Sequence, residues 1–257
     1  MSETTAIVLA AGKGTRMKSE LPKVLLPVCG RPMIEYVLDA LTKGGVDRVI
    51  VVVGYRAEMV RALVDGRADV EFALQTEQLG TGHAVMMCQG LLADCDGPVL
   101  IVAGDAPLMQ ADSVVALLRD YRRRPAACVL GTAQKGDPGG LGRILRDARG
   151  NFVGIIEHRD ATPEQRQITE VNMSCYVFNC RDLLGVLDHI RPDNRQGEYY
   201  ITDAPGVLAA QGKEVRALPV LKPCEALGIN TIEELAAVEA ELGKMIAAKP
   251  QAGSPNP

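Results

Sequence analysis

The chain predicts an α/β protein, a parallel β-sheet covered by helices on both faces. Three observations carry this. Short β-branched runs alternate with helical patterns through the first half. Two of the runs, RVIVVVG (48–54) and PVLIVAGD (98–105), are apolar almost throughout, as strands buried on both faces are. And 257 residues, 47% hydrophobic and 23% charged, suffice to bury a sizeable core in one large domain or two small ones.

The elements follow in order. AIVLA (6–10) reads as a strand and MIEYVLDALTKGG (33–45) as a helix closed by glycine. After the strand 48–54 come a helix at 57–65, a weaker strand VEFAL (70–74) and a helix GHAVMMCQGLLAD (82–94). The buried strand 98–105 is followed by a helix at 112–124, stopped by Pro125, and a strand at 126–133. This alternation predicts right-handed crossovers between parallel strands. After about residue 135 the rhythm changes. GRILRDARGNFVGIIEHRD reads as a hairpin turning at Arg149-Gly150-Asn151, and 170–179 as a strand. Helices follow at about 181–189, 202–211 and 231–247. Neither a repeat nor a linker-like change of composition interrupts the chain, so one domain is drawn over 1–242. Its halves are 1–134 and 135–242, and 243–257, ending KPQAGSPNP, is left as a disordered tail.

The net charge of −4 argues against a broad nucleic-acid surface. Seven cysteines, an odd number with no C-x-x-C pair, read as thiols in a reducing compartment. The start MSETTAIVLAAGKG lacks a basic n-region and its apolar run is too short to span a membrane, which predicts a cytoplasmic protein without a membrane partner.

Ligands of open α/β sheets bind beyond the C-terminal ends of the strands, and four segments fall there. In the loop after 6–10, Gly12 and Gly14 let backbone N–H groups approach a phosphate, and Arg16 and Lys23 supply charge. The spacing fits neither the dinucleotide fingerprint, because Met17 stands where glycine is needed, nor the P-loop. In QTEQLGTGHA (75–84), Gln75, Gly80 and Thr81 either read a base edge or form an ordinary polar turn. Asp105 arrives at the end of a buried strand, where a carboxylate either meets a cation such as Mg²⁺ or caps a turn. Asn230, in GIN (228–230), is either the second ligand or, with Thr231, a helix cap. In the second half Gly142 either allows close backbone approach or forms a surface turn, and Glu157 and Asn172 either bring donor and acceptor chemistry to a sugar or are polar residues of a surface turn or sheet edge. No Ser-His-Asp or Cys-His arrangement emerges, which disfavours covalent catalysis through the protein.

At this point a resemblance is specific enough to name. LAAGKGTRM followed by LPKVL resembles the signature of sugar-1-phosphate nucleotidylyltransferases. QTEQLGTGHAV, GDAPL, GRI, IIEHRDATPEQRQITEVN and QGEYYITD make the chain, over roughly 5–240, similar to the uridylyltransferase (pyrophosphorylase) domain of GlmU-type bifunctional enzymes. The resemblance implies a Rossmann-like nucleotidyltransferase fold, with a mostly parallel mixed sheet and a β-rich, sugar-binding second half. It implies transfer of uridylyl from UTP to N-acetylglucosamine 1-phosphate with release of pyrophosphate, and Mg²⁺ as cofactor. Residue by residue, Leu9, Ala10, Ala11 and Gly12 would face uridine, with Gln75, Gly80 and Thr81 completing base recognition. Arg16 and Lys23 would hold the triphosphate, and Asp105 and Asn230 the metal. Gly104, Gly142, Glu157 and Asn172 would hold the sugar. Two positions depart from the pattern: Ala103 stands where the family has an aromatic residue, and Asn172-Met173-Ser174 where it has Asn-Thr-Gly. The sugar therefore stays open between N-acetylglucosamine and another, as does the nucleotide, with a non-catalytic nucleotide-sugar sensor as the remaining alternative. GlmU-type enzymes continue into a hexapeptide-repeat acetyltransferase domain; no such repeat occurs here, so acetyl transfer is not expected.

Overall fold

The computed structural model of the protein describes residues 2–14, 17, 19–229 and 231–248. In chain order its strands and helices are β1 (Thr5–Ala10), a small ribbon of β2 (Pro27–Val28) and β3 (Arg31–Pro32), α1 (Met33–Lys43), β4 (Arg48–Val53), α2 (Ala57–Val64), β5 (Val70–Leu74), α3 (Thr81–Met86), β6 (Pro98–Ala103) and α4 (Ala111–Arg123). Then come β7 (Cys128–Gln134), β8 (Arg143–Arg146), β9 (Phe152–Ile156), β10 (Glu170–Asn179), α5 (Cys180–Leu187), α6 (Asp203–Ala210), β11 (Val215–Leu218) and α7 (Ile232–Ala247).

Among the described residues one sheet of nine strands organises the molecule, with the continuous order β11-β7-β10-β6-β1-β4-β5. The strands β6, β1, β4 and β5 are parallel, as their apolar runs predict. The sheet as a whole is mixed: β10 inserts between β6 and β7 and runs antiparallel to both, while β11 returns parallel to β7. The purely parallel reading of the first half therefore stops at β6. The insertion is possible because most of β10 is apolar enough for burial, with Val171, Cys175, Tyr176, Val177 and Phe178 all inside. β8 joins β10 through Arg143–Val171 and carries the hairpin to β9.

Each central strand feeds two cores. Ala6, Val8 and Ala10 of β1 face one, closed by α1, α2 and α4, whereas Ile7 faces the other, closed by α3, α5 and α6. That alternation on a strand with no exposed face is why its sequence reads as unbroken apolarity rather than period two. Full burial of a side chain such as Ile7 or Val51 contributes about 1.5–3 kcal/mol each. A third, smaller core holds Leu26 and Val28 against Val238 and Leu242 of α7.

Three sequence expectations shift. The helix expected over 82–94 is two pieces, α3 and a 3-10 turn Gln89–Leu92, with Gly90, a poor helix former, inside the turn. The strand expected to reach residue 105 ends at Ala103, because the chain turns to give the Gly104 N–H to the Leu9 carbonyl at 2.9 Å. Helix α7 passes the boundary at 242 and runs to Ala247, since Leu242 is buried in the third core and Met245 packs on it; residues 249–257 lie outside the described residues.

Candidate functional site

The parallel strands β1 and β6 end side by side, and the loops beyond them open into a cleft of about 340 Å³. Its floor is the end of β1, Leu9 to Gly12, with Ala103 from the end of β6. Gly104 lies just beneath: a Cβ on it would stand 3.0 Å from the Leu9 carbonyl oxygen, so a side chain there would crowd the turn against β1. Gly104 is therefore not a lining residue; it positions Asp105.

Asp105 reaches into the cleft from that turn. Lys23 meets it from the short 3-10 turn Lys23–Leu25 that follows Pro22. Lys23 Nζ and Asp105 Oδ2 stand 2.5 Å apart, with side-chain exposures of 18% and 29%. Gly14 makes room for this lysine: its φ is +66°, and a Cβ there would lie 2.7 Å from Lys23 Cβ. Gly12, in contrast, has open space where a side chain would go, leaving its backbone accessible. Arg16 and Asn230, the partners expected for Lys23 and Asp105, lie outside the described residues.

One wall is the loop from Gln75 to Thr81. Gln75 is 2% exposed. Its Nε2 donates to the Gly80 carbonyl at 3.0 Å and stands 3.0 Å from His83 Nδ1. Nothing among the described residues donates to its Oε1. Gly80 sits at φ +110° against the segment 198–201; a Cβ would meet the Tyr199 carbonyl oxygen at 2.5 Å. That segment is sewn to the loop by Tyr199 N–H to Leu79 O at 2.8 Å, Gly82 N–H to Tyr199 O at 2.7 Å, and Ile201 N–H to Thr81 Oγ1 at 3.1 Å. Glu198, Ile201 and Thr202 thereby join the wall, as does Gln78 from the loop itself.

The far side is built by the second half. Glu157, just beyond β9, lines the cleft, and Gly142 lies beside it, its absent Cβ 3.5 Å from Glu157 Oε1 and 3.4 Å from Asn172 Cβ. The Asn172 N–H donates to the Gly142 carbonyl at 2.9 Å. The structure thus brings Gly142, Glu157 and Asn172 close together. Asn172, however, is buried and does not line the cleft. Its amide is held by the Tyr176 hydroxyl at 2.8 Å and by the Ser174 N–H at 3.3 Å. Ser174, at φ +47° on the bulge of β10, takes the place at the cleft surface.

Burial pushes the Glu157 carboxyl up; the Thr202 hydroxyl and Arg143 draw it back, and Asp203 and Asp160 push it further. Asp203, in the first turn of α6, is raised to about 6 by burial and by Asp160. Arg143 is itself buried and holds the approach loop from beneath, donating to the Gly139 carbonyl at 3.0 Å and to the Arg166 carbonyl at 3.3 Å. The chemistry on offer is one end with a cation–carboxylate pair over open backbone, and another with a carboxyl reluctant to ionise.

The lining residues that were given no role are Val24, Gln78, Ala84, Ser174, Glu198, Ile201 and Thr202. All but Val24 and Ser174 fall inside the two quoted stretches QTEQLGTGHA and QGEYYITD, so the stretches were visible while the contributing side chains were not. His83 supports Gln75, as its position at a helix start suggests.

Residues 6–243 match the family of MobA-like NTP transferase domains. The chain is 44% identical over 244 residues to the bifunctional protein GlmU of Pelotomaculum thermopropionicum, and 43% identical over 246 residues to that of Brevibacillus brevis. The alignments cover 95% and 96% of this chain but 53% of each relative, so the chain spans about half the length of the curated relatives it matches. The crystal structure of UDP-glucose pyrophosphorylase complexed with UDP-glucose superposes with a TM-score of 0.75, covering 95% of this chain and 99% of that one. At 15% identity that likeness bears on the fold alone, which is the mostly parallel nucleotidyltransferase sheet flanked by helices. No helix among the described residues is long and apolar enough to cross a membrane. With the match running from the first sheet strand into the last helix, the chain belongs to the family of MobA-like NTP transferase domains.

Proposed function

We propose that the cleft joins UTP to N-acetylglucosamine 1-phosphate, giving UDP-N-acetylglucosamine and pyrophosphate. The observation that carries this is the convergence on one cleft of the Lys23–Asp105 pair, the Gln75 amide and Glu157. The similarity to bifunctional GlmU proteins narrows the substrate pair.

In this reading residues 1–134 take the nucleotide and 135–242 the sugar. The backbone from Leu9 to Gly12 lies along uridine, with Gly80 and Thr81 closing over the base. Gln75, its Nε2 already engaged, offers Oε1 as an acceptor. Uracil has an N–H donor at N3 and cytosine does not, so this acceptor favours UTP over CTP. Lys23 and Arg16 grip the phosphates, where Lys acts as a point charge and Arg as a two-pronged donor. Glu157 accepts from the sugar hydroxyls, and the Gly142 backbone lies against the ring. Asn172 acts by fixing Gly142 and Ser174 rather than by reaching the sugar.

Mg²⁺ fits the donor chemistry. Asp105 offers a part-exposed carboxylate, Asn230 would add an amide oxygen, and Mg²⁺ typically takes one or two carboxylates and completes its shell with phosphates and water. When bound, the ion would offset phosphate charge. The rest of the work belongs to the chain. It aligns a sugar-phosphate oxygen with the α-phosphorus, which contributes up to about 7–11 kcal/mol in ideal geometry, and it holds fixed cations against the accumulating charge. The phosphate is already ionised near neutral pH, so the step needs no general base. A cytoplasmic setting accords with these small anionic substrates and with seven free thiols.

The test crosses a panel of NTPs with sugar 1-phosphates, read by pyrophosphate release. The expected result is fastest turnover for UTP with N-acetylglucosamine 1-phosphate. Preference for another pair, or tight UDP-sugar binding without pyrophosphate release, would overturn the assignment.

A further inference from the structure

Arg143 opens β8 and is 2% exposed, one of the largest side chains the fold encloses. Its guanidinium is directed at backbone carbonyls. Nη1 donates to the Leu141 carbonyl, Nη2 to that of Gly139 at 3.0 Å, and Nε and Nη2 both to that of Arg166 at 3.3 Å. His158 Nδ1 stands 3.5 Å from Nη2. No carboxylate among the described residues is hydrogen-bonded to it. Burying a charge without a carboxylate is costly. The flat guanidinium fork, however, grips several carbonyls at once, which a lysine cannot do. Arg143 does not line the cleft, so any part it plays there acts through the backbone it holds.

That backbone flanks the far end of the cleft on both sides. Gly139 and Leu141 lead into Gly142, whose carbonyl is taken by the Asn172 N–H at 2.9 Å. The backbone group that Gly142 can turn to a sugar is therefore its N–H. Arg166 belongs to the other side: its Nε donates to the His158 carbonyl at 3.3 Å, next to Glu157. The Asp160 and Ala161 N–H groups both donate to the Glu157 carbonyl at 3.0 Å, which folds this turn back on the carboxylate. The strands agree with the arrangement, since Arg143 of β8 lies opposite Ile156 of β9. We propose that Arg143 is a positioning residue for the sugar phosphate: it clamps the 139–142 loop to the 157–167 turn and so fixes the Gly142 N–H and the Glu157 carboxylate at the spacing that one sugar ring bridges. The inference rests on the reading that the sugar lies between Gly142 and Glu157. Every partner of Arg143 belongs to the second half of the chain, so its loss acts on the sugar and not on the nucleotide. Its charge also opposes the burial that raises the Glu157 carboxyl.

The test compares Arg143→Lys and Arg143→Ala with the native chain. The readouts are the KM for each substrate and the calorimetric affinities for UDP and for UDP-N-acetylglucosamine. Arg143→Lys keeps the charge but loses the fork. It should raise the KM for N-acetylglucosamine 1-phosphate by about tenfold to hundredfold, the scale of a small misplacement of bound substrate. The KM for UTP and the affinity for UDP should stay unchanged. In Arg143→Ala the vacated space should admit a guanidinium ion. Millimolar guanidinium chloride, far below denaturing levels, should then restore UDP-N-acetylglucosamine binding where sodium chloride does not. Arg143→Lys carries the test alone if Arg143→Ala does not fold. A native sugar-phosphate KM in Arg143→Lys, equal losses for UTP and sugar phosphate, or a folded Arg143→Ala that guanidinium does not restore would overturn the proposal. Glu157→Gln distinguishes this from failure of the underlying reading. If it raises the sugar-phosphate KM and Arg143→Lys does not, the positioning role alone fails; if it too leaves that KM unchanged, the sugar does not lie there and both fail.

Discussion

Lys23 and Asp105 form an ion pair at 2.5 Å in the lining of the cleft, and each offsets the other's charge until phosphate arrives. Exposed as they are to the cleft, the pair adds little to stability, so removing the lysine tests function cleanly. Lys23→Ala should lower turnover by on the order of 10²–10³, comparable to loss of one preorganised donor, with its melting midpoint nearly unchanged; near-normal turnover would contradict its assigned role. Asp203 makes a different prediction. A negative charge in the first turn of a helix is ordinarily favourable by about 0.3–1 kcal/mol, but burial and Asp160 outweigh that and raise its pKa from 3.8 to about 6. The folded state then binds this proton more tightly than the unfolded state. Its stabilising effect is complete below about pH 4 and is lost as pH rises through 6. Asp203→Asn should therefore gain about 1 kcal/mol over the native chain at pH 7, after discounting for partial exposure, and nothing at pH 3.5. Urea titrations at the two pH values measure this; equal differences at both would contradict it. Charge was legible in the sequence wherever a residue stood in a loop after a strand, as Lys23 and Asp105 do. The partner of Asn172 was not, because Tyr176 sits four residues along the same strand, and only the bulge turns their side chains together.

At the scale of elements, that bulge is informative. Ser174 holds φ +47°, a left-handed backbone that disfavours a side chain. Ser174→Gly should raise stability by about 1 kcal/mol, read as a shift in urea midpoint with unchanged slope. A loss of stability would show that the serine hydroxyl, rather than the backbone, matters at this point of the cleft. The strands β1, β4 and β6 were legible because both faces are buried and every residue is apolar. β11 was missed because it is four residues long, carries Arg216 and lies at the sheet edge, where neither length nor apolarity marks a strand. Helix α7 was legible at both ends: the span expected at about 231–247 matches Ile232–Ala247, opened by the reciprocal cap of Thr231 and Glu234.

At the scale of the whole molecule, β10 decides the architecture. By inserting antiparallel between β6 and β7 it carries the Asn172–Ser174 bulge to the mouth of the nucleotide half, so one sheet serves both ends of the cleft. The sequence could announce two halves with different rhythms. It could not announce that a strand from the second would sit beside the strand that delivers Asp105, because strand order is set by long-range pairing. The central claim is that the two halves meet over one substrate path between Lys23, Asp105, Gln75 and Glu157. The most direct measurement is a crystal structure of the full chain with UDP-N-acetylglucosamine and Mg²⁺. The account predicts uracil against Gln75 and Gly80, phosphates against Lys23 with Mg²⁺ at Asp105, and the sugar against Glu157 and Gly142. Nucleotide bound elsewhere, with Lys23 and Asp105 turned away from its phosphates, would contradict it.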